Sequence, residues 1–238
     1  MGNKLSVNII GKLFLGILVL FILSARTYSA QNRSRIVTKN DGDFGVLNGK
    51  GNEVLTGVWY YDGWGKQTRT VTNPKWEVSG GNLVYTCRGV WQKTSLTDFP
   101  IKYSLKEVLS DNNTSFNIFW KFESEGNGSA GFFMPLWSLP FNKYDNSPVF
   151  VWVKGRKQKI VLISGNKSYK QMGPVFNKTK FVLFTGEKIT LKVHGMKACW
   201  QRADGSNFRI FLSFTRNWID GKKVDCGFKL TISPAGSK

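Results

Sequence analysis

The fold is decided by residues 76–122, WEVSGGNLVYTCRGVWQKTSLTDFPIKYSLKEVLSDNNTSFNIFWKF. Segments 82–85, 101–109 and 115–122 of this stretch are β-prone, and turn residues at 80–81 (GG) and 111–113 (DNN) separate them. The last segment alternates most clearly, with Phe116, Ile118, Trp120 and Phe122 on one face. Segment 102–110 could instead form a helical turn. Three strands in fewer than fifty residues predict an antiparallel sheet.

The rest of the chain repeats this pattern. Of its 238 residues, 41% are hydrophobic and 14% are aromatic, which indicates one sizeable core and favours sheet. About ten to twelve short strands lie between turn signals, and no segment has a helical period. We therefore predict an all-β protein, an antiparallel two-sheet β-sandwich or jelly roll, over residues 55–238. Residues 31–54 are polar and rich in Gly and Asn, and they are predicted to be a flexible N-terminal lead-in.

The first thirty residues have the features of an export signal. Lys4 and Lys12 precede an uncharged apolar run at 13–25 (LFLGILVLFILSA), and small residues follow at 27–30. The run is short for a membrane span and typical of a signal peptide, so cleavage after Ala30 is predicted. An uncleaved anchor is the alternative. The expected location is secreted or periplasmic, in the cell envelope, with no stable membrane insertion after cleavage.

The chain is strongly basic. Its formal net charge is +19, and loss of Lys4, Lys12 and Arg26 with the signal would lower it to +16. In an exported protein this charge favours a polyanionic partner such as a sulfated or uronic polysaccharide, lipid headgroups or a cell-wall polymer. Nucleic acid is not an expected partner outside the cell. The alternative is that the spread-out cations only keep the protein soluble.

The cysteines leave two alternatives open. An exported protein could join Cys199 to Cys226 and leave Cys87 as a thiol, or all three could be buried and reduced. There is no CxxC motif and His194 is the only histidine, so no zinc site with standard spacing can be built. No cofactor and no metal are predicted.

Four short motifs occur in order along the chain. They are WEV followed by GGNLV at 76–84, Trp91 followed by Thr94 and Phe99, strand 116–122 followed by GNGSAGFF at 126–133, and GEKITLKV at 186–193 followed by WIDGKKV at 218–224. With these motifs the chain resembles the concanavalin A-like/laminin G-like sandwiches of the 3-keto-disaccharide hydrolase-like family over residues 55–232. The resemblance implies a glycoside-active hydrolase or lyase. The chain departs from the family pattern at 196–216, which reads as an insertion.

Candidates for catalysis are few. Cleavage of a glycosidic bond by the common route needs two carboxylates across a groove. The pairs with suitable spacing are Asp41 with Asp43 in the lead-in, and Glu123 with Glu125 at a strand end. His194 is the sole candidate base for a nucleophile. No catalytic residue is assigned, and whether the chain is an enzyme stays open, with a glycoside hydrolase-like activity if any.

Binding of a carbohydrate needs less. Sugar rings stack on exposed aromatic rings, with polar groups at their edges. Trp64, Trp91 and Trp137 lie in or beside predicted turns, and Arg88, Lys121 and Glu123 are their candidate polar neighbours. Trp120 and Trp152 are expected in the core. A basic hairpin tip at 154–159 (KGRKQK) could meet an anionic polymer.

The sequence thus predicts an exported carbohydrate-binding β-sandwich without catalysis, with an anionic glycan as one candidate ligand. One alternative is the hydrolase or lyase implied by the family resemblance. A second is a structural envelope or matrix protein with no small ligand.

Overall fold

The structure is a computed structural model that describes residues 33–39, 42–61, 69–92, 99–165, 170–202 and 206–234. In these residues the chain forms seventeen strands and one short helix. The strands make two antiparallel sheets, so the predicted all-β two-sheet sandwich is confirmed. The predicted signal at 1–30 lies outside the described residues.

One sheet has eight strands. Its order is β1-β2-β3-β9-β16-β15-β12, and β4 also pairs with β9. These strands are β1 (Arg35–Thr38), β2 (Phe44–Leu47), β3 (Glu53–Gly57), β4 (Tyr60–Tyr61), β9 (Gly128–Pro140), β12 (Lys170–Phe176), β15 (Lys197–Arg202) and β16 (Asn207–Trp218).

The other sheet has nine strands, in the order β11-β10-β13-β14-β17-β8-β7-β6-β5. They are β5 (Arg69–Ser79), β6 (Asn82–Trp91), β7 (Ile101–Leu109), β8 (Ser115–Ser124), β10 (Pro148–Val153), β11 (Arg156–Val161), β13 (Lys178–Val182), β14 (Lys188–His194) and β17 (Lys223–Ser233). The helix, α1 (Phe141–Tyr144), joins β9 to β10. No helix in the described part of the chain combines the length and apolarity needed to cross a bilayer.

The core lies between the two sheets and follows the alternation in β8. The four residues predicted to share one face, Phe116, Ile118, Trp120 and Phe122, are each at most 1% exposed, whereas Phe119 is 43% exposed. Across the sandwich, Phe122 stacks on Phe132 of β9, with ring centroids 4.3 Å apart. Phe132 in turn stacks on Phe214 of β16 at 5.5 Å. Aromatic contacts therefore join the two sheets.

Several boundaries differ from those predicted. The ambiguous segment 102–110 falls on strand β7, whose residues alternate between buried and exposed. Strand β5 was not predicted, because almost all of its residues are exposed and its sequence therefore lacks alternation. Strands β1 and β2 lie in the predicted lead-in and pair with each other, and β2 pairs with β3, so the sandwich includes residues before 55.

The segment that read as an insertion is central to the fold. Residues 196–216 contain β15 and most of β16, which pair along six residue positions. Strand β16 also pairs with β9 over its whole length. The departure from the family pattern is therefore a pair of strands inside the eight-stranded sheet, not a surface loop.

All three cysteines are buried and none is in a disulfide, which decides between the two alternatives left open. Cys199 lies in β15 of the eight-stranded sheet and Cys226 in β17 of the nine-stranded sheet. Burial, reinforced by the charge of Asp225, raises the pKa of the Cys226 thiol far above its ordinary value. Its thiol is therefore protonated and unreactive at neutral pH.

The hairpin between β10 and β11 has a shorter turn than predicted. Lys154 and Gly155 both have positive φ, 47° and 80°, as the two central residues of a type I′ turn require. Strand β11 therefore begins at Arg156, so the lysines expected at a hairpin tip lie within a strand.

The alternation in β8 makes a direct prediction about stability. Trp120→Ala removes a buried indole, so it should lower the free energy of unfolding by about 3–5 kcal/mol in urea denaturation. The matched control Phe119→Ala, one residue away on the exposed face, should cost less than about 1 kcal/mol. Equal losses in the two variants would contradict the assignment of faces.

Candidate functional site

The outer face of the nine-stranded sheet carries a patch of cations, here called the basic face. It is formed by outward side chains of five neighbouring strands, because core-facing residues such as Val151 and Leu191 occupy the alternate positions. Its members are Lys157 and Lys159 of β11, Phe150 and Trp152 of β10, Lys178 and Lys180 of β13, Lys192 of β14 and Lys229 of β17.

Strand register arranges these side chains in rows. One row crosses five strands and contains Lys157, Trp152, Lys178, Lys192 and Lys229 as successive cross-strand partners. Because neighbouring strands are about 4.8 Å apart, the row is roughly 19 Å long. A second, shorter row contains Lys159, Phe150 and Lys180. The cations are therefore spaced regularly over an extended surface.

The two aromatic rings of the basic face are in contact with its lysines. The Lys178 ammonium lies 4.4 Å from the centroid of the Trp152 ring. The Lys157 ammonium lies 4.2 Å from the centroid of Phe150 and 5.9 Å from that of Trp152. Such cation–π contacts hold the ammonium groups over the rings. Trp152 is half-buried on this face, so its expected place in the core is wrong.

The charge of the basic face is not compensated. Strands β10, β11, β13 and β14 contain no Asp or Glu, and the one acid of β17, Asp225, is four residues before Lys229. Among the residues that the structure describes, none of the six lysines of the face forms an ion pair.

Elsewhere on the same sheet, three lysines have carboxylate partners among the described residues. Lys102 lies 2.6 Å from Glu125, and the hydrogen bond and charge of that carboxylate raise the pKa of Lys102. Lys75 lies 2.7 Å from Glu77, whose hydrogen bond and charge raise its pKa as well.

Three of the predicted site residues come together on this sheet. Arg88 of β6 and Lys121 of β8 are both opposite Ser104 of β7, so they lie two strand spacings, roughly 10 Å, apart. Glu123 follows on the same side of β8 and lies 3.5 Å from Lys223. They occupy the half of the outer face in which positive and negative side chains are mixed.

The predicted tryptophans do not join them. Trp91 is 0% exposed and packs edge-on against Phe132, with centroids 5.6 Å apart, so its expected surface position is wrong. Trp91 is the last residue of β6, and its side chain faces the core. The sequence placed it beside a predicted turn, which suggested a surface position. Trp137 is half-buried in the other sheet, and the centroid of its ring lies 5.0 Å from the guanidinium carbon of Arg209. Trp64 lies outside the described residues.

The candidate acid and base groups have other surroundings. Glu123 and Glu125 each form an ion pair, as described above. Asp43 accepts a hydrogen bond from the Trp59 backbone N–H at 3.1 Å, and Asp41 is outside the described residues. His194 is exposed at the end of β14, 5.8 Å from the Phe119 ring. Within the described ranges, no three or more His, Cys, Asp or Glu side chains are grouped as metal ligands.

Sequence reasoning missed the basic face although a signal was present. Lysines recur at every second position in 157–159 (KQK) and 178–180 (KTK). In a strand, this period places both lysines of each segment on one face. Which strands are neighbours, and hence that these lysines meet, depends on sheet order and is not visible in the local sequence.

Comparison with known proteins shows the fold only. No protein-family model matches the chain, and no curated protein matches it. An α-N-acetylgalactosaminidase from Bifidobacterium bifidum is similar with a TM-score of 0.52 and 11% identity, over 87% of this chain and 36% of that chain. A galactose mutarotase-like protein from Lactobacillus casei is similar with a TM-score of 0.52 and 9% identity, over 84% of this chain and 98% of that chain. The chain thus has the β-sandwich architecture of these structures and spans about a third of the first.

The uncompensated lysines predict an effect of salt on stability. Lys192 and Lys229 are directly opposite each other, so Lys192→Gln should raise the free energy of unfolding at low salt by about 0.2–1 kcal/mol. The gain should shrink as added NaCl screens the repulsion. Urea denaturation at several salt concentrations measures both effects.

The control carries the same change of charge. Lys102→Gln removes the partner of Glu125, so it should leave stability unchanged or lower it slightly. If both variants gain the same stability, the effect comes from net charge and not from the basic face.

Proposed function

We propose that this protein is an exported carbohydrate-binding β-sandwich that holds an anionic glycan on the basic face, without catalysing a reaction. The observation that carries the proposal is the row across β11, β10, β13, β14 and β17, in which four lysines flank or follow Trp152 and none of them forms an ion pair among the described residues. Like charges on adjacent strands destabilise a sheet, so such a row is best explained by a ligand that neutralises it.

The shape of the basic face favours a chain-like ligand. A single small anion needs two or three converging cations, whereas these lysines are spread along roughly 19 Å in a line. A linear polysaccharide with repeated carboxylate or sulfate groups can contact several of them at once. Each such contact is a charge-assisted hydrogen bond or an ion pair.

The aromatic rings add a feature that charge alone does not. Phe150 and Trp152 lie between the lysines of β11 and β13, so a bound chain would pass over apolar rings as well as cations. Pyranose rings stack on such surfaces through their apolar C–H faces. This combination supports a sugar polymer over an inorganic polyanion.

The fold supports the proposal in general terms. The two similar structures are a galactosaminidase in complex with GalNAc and a galactose mutarotase-like protein, and both are named for sugars. A shared sandwich does not assign a function, because one fold hosts many activities. The hydrolase or lyase implied by the family resemblance is the rival proposal. Glu123 and Glu125 each form an ion pair with a lysine, so neither carboxylate is arranged as a free catalytic acid or base. This favours a binding protein over a hydrolase.

The proposal predicts binding that depends on ligand charge. The protein should bind dextran sulfate but not dextran, which has the same backbone without sulfate, and the affinity should fall as salt increases. In titration calorimetry, replacing Lys157, Lys178 and Lys192 with Gln should weaken the binding at least about tenfold, equivalent to ~1.4 kcal/mol. Polygalacturonate serves as the carboxylate-bearing ligand.

A matched variant controls for net charge. Replacing Lys75, Lys102 and Lys223 with Gln removes the same number of charges from lysines that already have carboxylate partners, so binding should weaken much less. Equal losses in the two triple variants would show that only net charge matters. If the protein binds anionic lipid vesicles more tightly than the polysaccharides, the ligand of the basic face is a membrane surface and not a glycan.

The same mixtures test for catalysis. The number of reducing ends should stay constant when the protein is incubated with each polysaccharide and with 3-keto and ordinary disaccharides. Release of product that Glu123→Gln abolishes would establish the rival hydrolase.

Export is a separate part of the proposal. When the chain is expressed with its own N-terminus in a secreting host, N-terminal sequencing of the exported protein should begin at Gln31. Retention in the cytoplasm with an intact N-terminus would remove the extracellular glycan from consideration.

A further inference from the structure

A cavity of about 450 Å³ lies where strand β15 begins beside β16. Lys197 pairs with Ser213, and β16 then continues to Trp218 without β15 beside it. This step in the sheet leaves open space next to the last residues of β16. The cavity is lined by Gly195, Met196, Lys197, Ser213, Phe214 and Arg216.

The lining combines charge, a hydroxyl and an apolar wall. Lys197 and Arg216 are both exposed, and each contributes a full positive charge. The Arg216 guanidinium carbon lies 6.0 Å from the centroid of the Phe214 ring. Ser213 offers a hydrogen-bonding hydroxyl, and Met196 and Phe214 supply apolar surface. A volume of this size falls within the range of about 300–1,000 Å³ that is typical of sites for small molecules.

No carboxylate is among the described residues that line the cavity. Asp225 of β17 packs its backbone against Gly195 of the cavity wall, and its exposed side chain belongs to the outer face of the nine-stranded sheet, opposite Lys121. The cavity is therefore positive, and its chemistry is complementary to a ring that bears one carboxylate or one sulfate.

The cavity adjoins β14, one of the five strands that form the basic face. His194 is the last residue of β14 and directly precedes Gly195 of the cavity wall. Lys192 of the basic face lies two residues earlier on the same side of β14, a distance of about 6.7 Å along the strand. Gly195 has a φ of 66°, and any side chain there would collide with β17, so the turn packs closely against that strand.

We infer that this cavity is a binding site for a single acidic sugar unit, the end of the glycan that lies on the basic face. The carboxylate or sulfate would contact Lys197 and Arg216, and the apolar side of the pyranose would face Phe214 and Met196. The inference rests on the proposed function for the identity of the polymer, but the cavity should also bind an acidic monosaccharide by itself.

The test uses sugars that differ only in charge. Methyl glucuronide and the 6-sulfate of methyl glucoside should each shift the NMR signals of the Met196 methyl group and the Gly195 amide in a saturable way. Methyl glucoside, the neutral analogue, should not. Lys197→Gln combined with Arg216→Gln should weaken binding of the acidic sugars at least about tenfold. A urea denaturation midpoint close to that of the unaltered protein shows that the double variant is folded.

The matched control changes two lysines that lie outside both the cavity and the basic face. Lys75→Gln combined with Lys102→Gln removes the same charge and should leave binding of the monosaccharide unchanged. Equal effects of both double variants, or equal shifts with methyl glucoside, would overturn the inference.

Failure of this inference differs from failure of the proposed function. If dextran sulfate binding depends on the basic face but no acidic monosaccharide shifts Gly195 or Met196, the cavity is not a site and the proposed function stands. If the monosaccharide binds in the cavity while polysaccharide binding ignores Lys157, Lys178 and Lys192, the cavity is a site and the proposed function fails.

Discussion

Phe122 of β8 and Phe132 of β9 stack across the interior of the sandwich, with ring centroids 4.3 Å apart. Each ring belongs to a strand in the body of its own sheet, and Trp120 and Phe214 extend the same cluster. Because successive side chains of a strand point to opposite sides, this contact also determines which residues face water. A shift of one residue in β8 would exchange Phe122 with Lys121 and place a charge in the core.

The same constraint produces the basic face. In β13, Phe181 is buried between the sheets, so Lys180 on the alternate position must lie outside. In β14, Leu191 is buried and Lys192 lies outside for the same reason. The burial of apolar side chains stabilises the sandwich enough to tolerate lysines that repel each other across neighbouring strands. The surface that suits a ligand is thus a consequence of how the core is built.

Local sequence was sufficient for the fold class and for the core of β8, because alternation is a property of a single strand. Phe116 to Phe122 could be assigned to the interior without knowing any neighbour. Trp152 and Trp91 could not be placed in this way. Trp152 follows a run of apolar residues in β10 but shares its side with Phe150, and Trp91 ends a strand at a position that still faces the core. Their exposure depends on which element covers each end of the sheet, and that is a long-range property.

The candidate site was predictable only in part for a related reason. Arg88 and Lys121 were identified from the sequence, and they lie on the sheet that carries the basic face. The lysines of β11 and β14, in contrast, are more than thirty positions apart in the chain and meet through β10 and β13. Segment 196–216 shows the opposite error. Comparison with a short family motif predicted an insertion there, whereas the segment contains strands in the interior of the eight-stranded sheet.

The position of β11 at the end of its sheet has one more consequence. A terminal strand presents backbone N–H and C=O groups on its outer side, and such an edge can recruit a strand from another molecule and start aggregation. β11 has the sequence RKQKIV, and its first four residues are all exposed. If two copies approached edge to edge, the cations of their β11 strands would lie close together and repel each other. The positive charge of β11 therefore opposes edge-to-edge association.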